Sequence, residues 1–101
     1  MIVIRNVFRL KFGKAREAME LFKEGMAIQK RVVKIENFSM RLLTDVTGPF
    51  YTVVVELTVP SLAAYEAEAP RVMGDKEFQA NYQKMVQLVE SGSREVFRLV
   101  E

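Results

Sequence analysis

Cysteine, histidine and tryptophan are all missing from the sequence. Without cysteine there is no disulfide, no iron–sulfur cluster and no thiol nucleophile. Without histidine the chain lacks the usual zinc ligands, a histidine axial ligand for haem and the imidazole base of a catalytic triad. The 13 Asp and Glu residues are scattered over predicted helix surfaces rather than grouped at metal-ligand spacing. We therefore expect no metal, no haem and no other cofactor.

The length and composition predict one small domain. The 101 residues suffice for a single core, so the domain spans residues 1–101. Hydrophobic residues make up 50% and charged residues 28%, which is typical of a globular chain. The net charge of +2 is too small to indicate nucleic acid or an acidic membrane as partner. With no signal peptide and no apolar run of bilayer length, the expected location is cytoplasmic.

Four segments have the pattern of β-strands. Phe50 to Val59 is rich in β-branched residues and has Gly and Pro breakers on either side, which predicts a central strand. Ile2 to Phe12 alternates between apolar and polar residues and predicts the first strand. Phe38 to Val46 is a second strand, joined to the central one by a short hairpin. Ser93 to Glu101 closes the chain as the fourth strand.

The remaining segments predict helices. Residues 14 to about 33 place apolar side chains at helical spacing, which predicts an amphipathic helix of roughly five turns. Ser61 can cap a short helix, which Pro70 is expected to break or kink. Asp75 can cap a longer one. Gly92 stands where that helix would need a left-handed residue at its C-terminus.

The element order β-α-β-β-α-β predicts a ferredoxin-like α+β fold. Right-handed crossovers give a four-stranded antiparallel sheet of order 4-1-3-2, with both helices on one face. The predicted helix-covered face consists of Ile4, Phe8, Leu10, Met40, Leu42, Val53, Val55, Leu57, Phe97 and Leu99. The predicted open face consists of Val3, Arg5, Val7, Arg9, Arg41, Val54, Glu56, Val96, Arg98 and Val100.

The open face is half charge and half valine, which predicts that something covers it. We expect a second copy of the chain, so that the protein is a homodimer. The dimer-face candidates are Arg5, Arg9, Arg41, Val54, Glu56 and Arg98. Glu56 can pair with an arginine on the neighbouring strand. This predicts a set of structural salt bridges at a subunit interface. The alternative is that these arginines form an anion-binding patch.

Three phrases resemble a known family: Val59 to Glu66, Asp75 to Gln79 and Ser91 to Val100. They are similar to NIPSNAP-type members of the dimeric α+β barrel superfamily, in which two such sheets pack face to face. The resemblance covers the whole chain and implies the fold and a homodimer. It implies no particular activity.

A second resemblance is local. Asn6, followed by Gly13, is similar to barrel members that degrade haem or oxidise polyketides, in which an asparagine on this strand lines a cleft between sheet and helices. The haem-degrading members also use a histidine and a tryptophan, so the resemblance does not extend to haem degradation. An RNA-binding module of this topology is not expected, because Val3 stands where a stacking ring is required.

Asn6 interrupts an otherwise apolar row of the first strand. It predicts either an orienting group in a pocket, with Tyr51, Tyr65 or Tyr82 as neighbouring donors, or a structural amide that ties the strand to a helix end. Three functions stay open. The protein binds a small, partly apolar molecule, or it is a cofactor-independent monooxygenase or isomerase-type enzyme, or it is a structural or regulatory dimer without a ligand.

Overall fold

Seven elements follow one another along residues 1–100, which are the residues that the computed structural model describes. They are β1 (Ile2–Leu10), α1 (Ala15–Val32), β2 (Ser39–Thr44), β3 (Thr52–Val59), α2 (Leu62–Met73), α3 (Lys76–Val86) and β4 (Val89–Arg98). The order is the predicted one, with two helices in the second helical region. None of the helices in this part of the chain is long and apolar enough to cross a membrane.

The four strands form one antiparallel sheet in the order β2-β3-β1-β4. This confirms the predicted order 4-1-3-2, read from the opposite edge. β3 and β1 occupy the centre, and five consecutive residues of β3, from Val53 to Leu57, are buried. β-Branched side chains fit such a pleated surface well, which is why this segment forms the centre of the sheet.

The core lies between one face of the sheet and the helices. Ile4 and Leu10 of β1 pack with Ala18 and Phe22 of α1, and all four are buried. The rings of Phe8 and Phe22 are 5.3 Å apart at a tilted angle, which favours aromatic contact. The apolar stripe of α1 therefore covers β1 as its periodicity predicted.

Both predicted helix caps form. Ser61 accepts the backbone N–H of Ala64 at 3.1 Å, and Asp75 accepts that of Phe78 at 2.9 Å. Of the two effects expected of Pro70, a break or a kink, the break does not occur, because α2 continues through Pro70 to Met73. Pro70 has no N–H to donate, but its carbonyl still accepts the N–H of Gly74 at 2.9 Å near the end of the helix.

The fourth strand begins earlier than predicted. α3 ends at Val86 and β4 starts at Val89, so Gly92 lies inside a strand rather than at a helix C-terminus. Gly92 pairs with Phe8. A Cβ at this position would stand 3.1 Å from Cδ1 of the Phe8 ring, so the glycine leaves room for that ring.

The register of β4 corrects one part of the predicted faces. Directly paired residues project on the same face of a sheet. Val96 pairs with Ile4, and Arg98 pairs with Ile2, so both lie on the helix-side face; Phe97 pairs with Val3 and lies on the open face. The predictions for these three β4 residues are therefore wrong. A slip of one residue exchanges the two faces.

Candidate functional site

A cleft of about 1160 Å³ separates part of the sheet from the helices. Its floor includes Asn6 and Phe8 of β1, and its walls come from α1, α2 and α3. Most of the lining side chains are apolar, among them Phe22, Met26 and Met85. A concave apolar space with a few polar groups is the usual form of a small-molecule site.

The polar end of the cleft is built across two neighbouring strands. Asn6 of β1 pairs directly with Arg94 of β4. Nε of Arg94 donates to Oδ1 of Asn6 at 2.7 Å. Because a guanidinium group has donors only, the amide oxygen must face Arg94 and the amide NH2 group must point elsewhere. Arg94 thereby fixes the orientation of Asn6.

Tyr65 of α2 extends this arrangement from the helix side. The guanidinium carbon of Arg94 is 5.8 Å from the centre of the Tyr65 ring, a cation–π distance. Within residues 1–100 no carboxylate lies within 4.0 Å of the Arg94 nitrogens. The end of the cleft formed by Asn6, Arg94 and Tyr65, here called the donor end, therefore carries a positive charge and several hydrogen-bond donors.

The three tyrosines predicted beside Asn6 do not share one place. Tyr65 and Tyr82 line the cleft, whereas Tyr51 does not. Tyr51 has a φ of 60° in the turn that precedes β3, and its ring packs edge-on against Phe12 at 5.0 Å. The prediction for Tyr51 is wrong because β3 begins at Thr52, two residues later than predicted, so this tyrosine belongs to the turn and not to the strand.

Asn81 of α3 is a cleft residue that the sequence analysis missed. It is 2% exposed, and its Nδ2 donates to the carbonyl of Leu21 at 2.9 Å and to Oε1 of Glu24 at 3.0 Å. It lies against Gly25, where any side chain would collide with its Oδ1. The isolated glycine within the pattern of a helix was the available signal, since such a glycine usually has a packing reason.

Glu68 of α2 is a second lining residue that was missed. Glu68 is 9% exposed. Its carboxylate accepts hydrogen bonds from the backbone N–H of Lys34 at 2.8 Å and from Nε of Arg71 at 2.7 Å. The N–H of Lys34, together with Arg71, holds the pKa of Glu68 below its ordinary value, against the opposing effect of desolvation. Glu68 thus ties the segment after α1 to α2.

On the other side of the sheet, the structure brings most of the predicted dimer-face candidates together. Arg5 pairs with Glu56, and Glu56 pairs with Arg41. Val54 and Arg9 share this face, as their pairing with Val7 and Thr52 shows. Arg98 does not, because it lies on the helix-side face opposite Ile2.

Glu56 is 9% exposed between its two arginines. Nε of Arg41 donates to Oε1 of Glu56 at 3.0 Å, and Nη2 of Arg41 contacts the same oxygen. Nε of Arg5 is 3.8 Å from Oε2. That Nε is buried without a hydrogen-bond partner among the described residues. One carboxylate therefore compensates two cations on this face.

The carboxylates of residues 1–100 do not come together in groups of three that could hold a metal ion.

The sheet order and the helices on one face define a ferredoxin-like α+β fold of the kind found in dimeric α+β barrels. The family model described as NIPSNAP matches residues 4–101, and the chain belongs to this family. Comparison with curated proteins gives no match.

Solved structures with the same fold include NIPSNAP proteins and a cofactor-independent oxygenase. A NIPSNAP family protein from Agrobacterium tumefaciens is 24% identical with a TM-score of 0.87, covering 99% of this chain and 93% of that one. An uncharacterized NIPSNAP domain protein from Burkholderia xenovorans is 20% identical with a TM-score of 0.86, covering 99% and 95%. A cofactor-independent oxygenase from Streptomyces nogalater is 16% identical with a TM-score of 0.72, covering 99% and 93%.

Proposed function

We propose that this NIPSNAP chain acts as a homodimer that binds a small, partly apolar molecule in the cleft between sheet and helices. The observation that carries this proposal is the donor end, formed by Asn6, Arg94 and Tyr65, at the floor of a cleft with mainly apolar walls. A structural amide is held by several hydrogen bonds within the protein, as Asn81 is, whereas Asn6 makes one side-chain hydrogen bond in the described chain, to Arg94. Here Asn6 borders about 1160 Å³ of open space.

The geometry of the donor end favours one kind of ligand group. The Asn6 oxygen is occupied by Arg94, so the Asn6 NH2 group and the terminal nitrogens of Arg94 are the available groups, and all of them donate. They suit an oxygen that accepts hydrogen bonds, such as that of a carbonyl, a carboxylate or a phenolate. The apolar part of the ligand would lie against Phe22, Met26 and Met85.

The homodimer part rests on the open face of the sheet. Leu43 and Phe97 are 36% and 47% exposed there, beside the half-buried Val3 and Val7. Apolar side chains on a helix-free sheet face favour a covering layer. A second copy provides a face of the same shape, and two sheets pack well at about 10 Å.

Native mass spectrometry of protein purified from its own host tests both parts. The expected spectrum shows a dimer that carries a small molecule. Arg94→Met should remain dimeric and lose the molecule, while Arg16→Met, which changes an exposed arginine of α1, should retain it. A dimer without a ligand, or one that Arg94→Met does not affect, would refute binding at the donor end. A monomer would refute the homodimer.

A second candidate function is catalysis on that same molecule, as a cofactor-independent monooxygenase or an isomerase-type enzyme. The observation in favour is that Tyr65 lines the cleft next to the Asn6–Arg94 pair. Asn6 would orient the substrate, and the Tyr65 hydroxyl would move a proton. Tyr65→Phe removes only this hydroxyl. For an enzyme, this variant should bind the molecule and no longer convert it; conversion at the wild-type rate would exclude Tyr65 as the proton carrier.

A further inference from the structure

Four charged residues form one straight row across the open face of the sheet, one from each strand. Arg41 of β2 pairs with Glu56 of β3, Glu56 pairs with Arg5 of β1, and Arg5 pairs with Glu95 of β4. Neighbouring positions along the row carry opposite charges. Of the two inner charges, Glu56 is buried and the Arg5 side chain is 38% exposed, whereas Arg41 and Glu95 at the ends are exposed. This set is called the charge row below.

The charge row is complementary to its own reverse. From β2 to β4 its signs are plus, minus, plus, minus; read from β4 to β2 they are minus, plus, minus, plus. Two identical rows placed face to face in opposite directions therefore put Arg41 opposite Glu95, and Glu56 opposite Arg5. Placed in the same direction, they put every charge opposite a like charge.

A two-fold axis that joins two sheets face to face must lie in the plane between them, because it has to turn one face over onto the other. If this axis runs along the strands, it reverses the order of the strands and hence the charge row. If it runs across the strands directly over the row, each residue of the row faces its own copy. Only the first orientation pairs opposite charges, and like charges in a water-excluded interface strongly disfavour the second.

We propose that the charge row sets the orientation of the homodimer, with the two-fold axis along the strands between β1 and β3. Two contacts define it: Arg41 of one protomer meets Glu95 of the partner subunit, and Arg5 meets Glu56 of the partner subunit. This proposal rests on the homodimer of the proposed function and adds its arrangement.

The spacing of the sheet is compatible with these contacts. Strands are about 4.8 Å apart, so the outer residues of the row lie about 7 Å from the axis. Packed sheets cross at about 30°, which displaces the outer residues by about 4 Å relative to one another. An arginine side chain spans that displacement across an interface about 10 Å thick.

Arg5 adds an independent observation. Its Nε is buried and has no hydrogen-bond partner within the described part of the chain, although Glu56 lies 3.8 Å away. A buried polar atom without a partner is unfavourable and uncommon. The Arg5 side chain as a whole is 38% exposed, so in the proposed arrangement its terminal nitrogens can donate to the partner subunit's Glu56, which lies opposite.

Two charge reversals test the arrangement, Arg41→Glu and Glu95→Arg. Each variant alone places like charges at both ends of the reversed row, so we expect the dimer dissociation constant to rise at least tenfold by sedimentation. An equimolar mixture restores opposite charges at both ends. Random exchange of subunits would make about half of all dimers heterodimers. We expect native mass spectrometry to show a heterodimer fraction well above that. Arg16→Glu on α1 is the control and should dimerise like the wild type.

The outcomes separate this inference from the proposed function. A monomeric wild type would refute the homodimer itself. A dimeric wild type whose two variants dimerise equally well would overturn the orientation. Weakened variants that do not recover on mixing would overturn it too, because damage to folding and not charge pairing would then explain the loss. Circular dichroism of each variant shows directly whether it folds.

Discussion

Gly25 of α1 lies directly against the carboxamide of Asn81 of α3, with no space between them for a side chain. A Cβ at Gly25 would stand 2.8 Å from Oδ1 of Asn81. Two hydrogen bonds from Nδ2 of Asn81, to Leu21 and Glu24, hold this amide in place. The contact joins two helices that form walls of the cleft, so it sets the distance between those walls.

The first prediction is that Gly25→Ala lowers the free energy of unfolding. Overpacking costs about 1–3 kcal/mol, which exceeds the roughly 1 kcal/mol that alanine gains over glycine in a helix interior. Asn81→Ala alone should also destabilise, through its lost hydrogen bonds. Combined with Asn81→Ala, the alanine at position 25 finds space and should become stabilising. Urea unfolding of the wild type, the two single variants and the double variant gives the coupling free energy between the two positions. If the two single effects simply add in the double variant, the contact is contradicted.

The second prediction concerns Asn6. Asn6→Leu should leave the stability of the ligand-free protein within about 0.5 kcal/mol, because Arg94 is exposed and can turn to water. The ligand-induced rise in melting temperature should disappear. Thermal melts of wild type and variant, each with and without the retained molecule, measure both effects. A loss of about 1–3 kcal/mol without ligand would show that Asn6 is a structural amide.

The third prediction is that Glu56→Lys shifts the protein toward monomer. The change puts a third cation between Arg5 and Arg41 and removes the carboxylate that both contact. Glu20→Lys makes the same change of charge on an exposed residue of α1 and should not affect sedimentation. Glu56→Gln, which keeps the shape, should weaken the dimer less than the lysine does. If the dimer persists in Glu56→Lys, the open face is not the interface.

The fourth prediction is a pH dependence from Glu68. Its pKa is lowered from the ordinary value of 4.5 by the Lys34 N–H and by Arg71. The ionised carboxylate is therefore the form that stabilises the fold. Its contribution is complete above pH 4.5 and is lost as the pH falls through the lowered pKa.

Glu68→Gln should consequently be less stable than the wild type at neutral pH, and the difference should shrink in acid. Denaturant unfolding at a series of pH values below and above 4.5 measures it. Glu66→Gln, an exposed neighbour on α2, is the control for the loss of one negative charge. A difference between Glu68→Gln and wild type that grows in acid would contradict the assignment.

The sequence by itself determined the order of the elements, the order of the strands and the two faces of β1 and β3. In β1 apolar and polar residues alternate, because the two faces of the sheet have different environments. β3 is buried from Val53 to Leu57, and its faces follow from the alternation of side chains along any strand. Asn6 was identified for the same reason, as the one amide within an apolar row. The caps at Ser61 and Asp75 were readable because capping is local.

Only the tertiary structure decided the start and register of β4, and with them the neighbours of Asn6. β4 is an edge strand, exposed from Glu90 to its end at Arg98, so burial leaves no clear period in it. Its register is set by pairing with β1, where Gly92 makes room for the ring of Phe8. That register brings Arg94 to Asn6, 88 positions apart in the chain. Contacts between side chains so distant depend on how strands and helices pack together, and no local pattern encodes them.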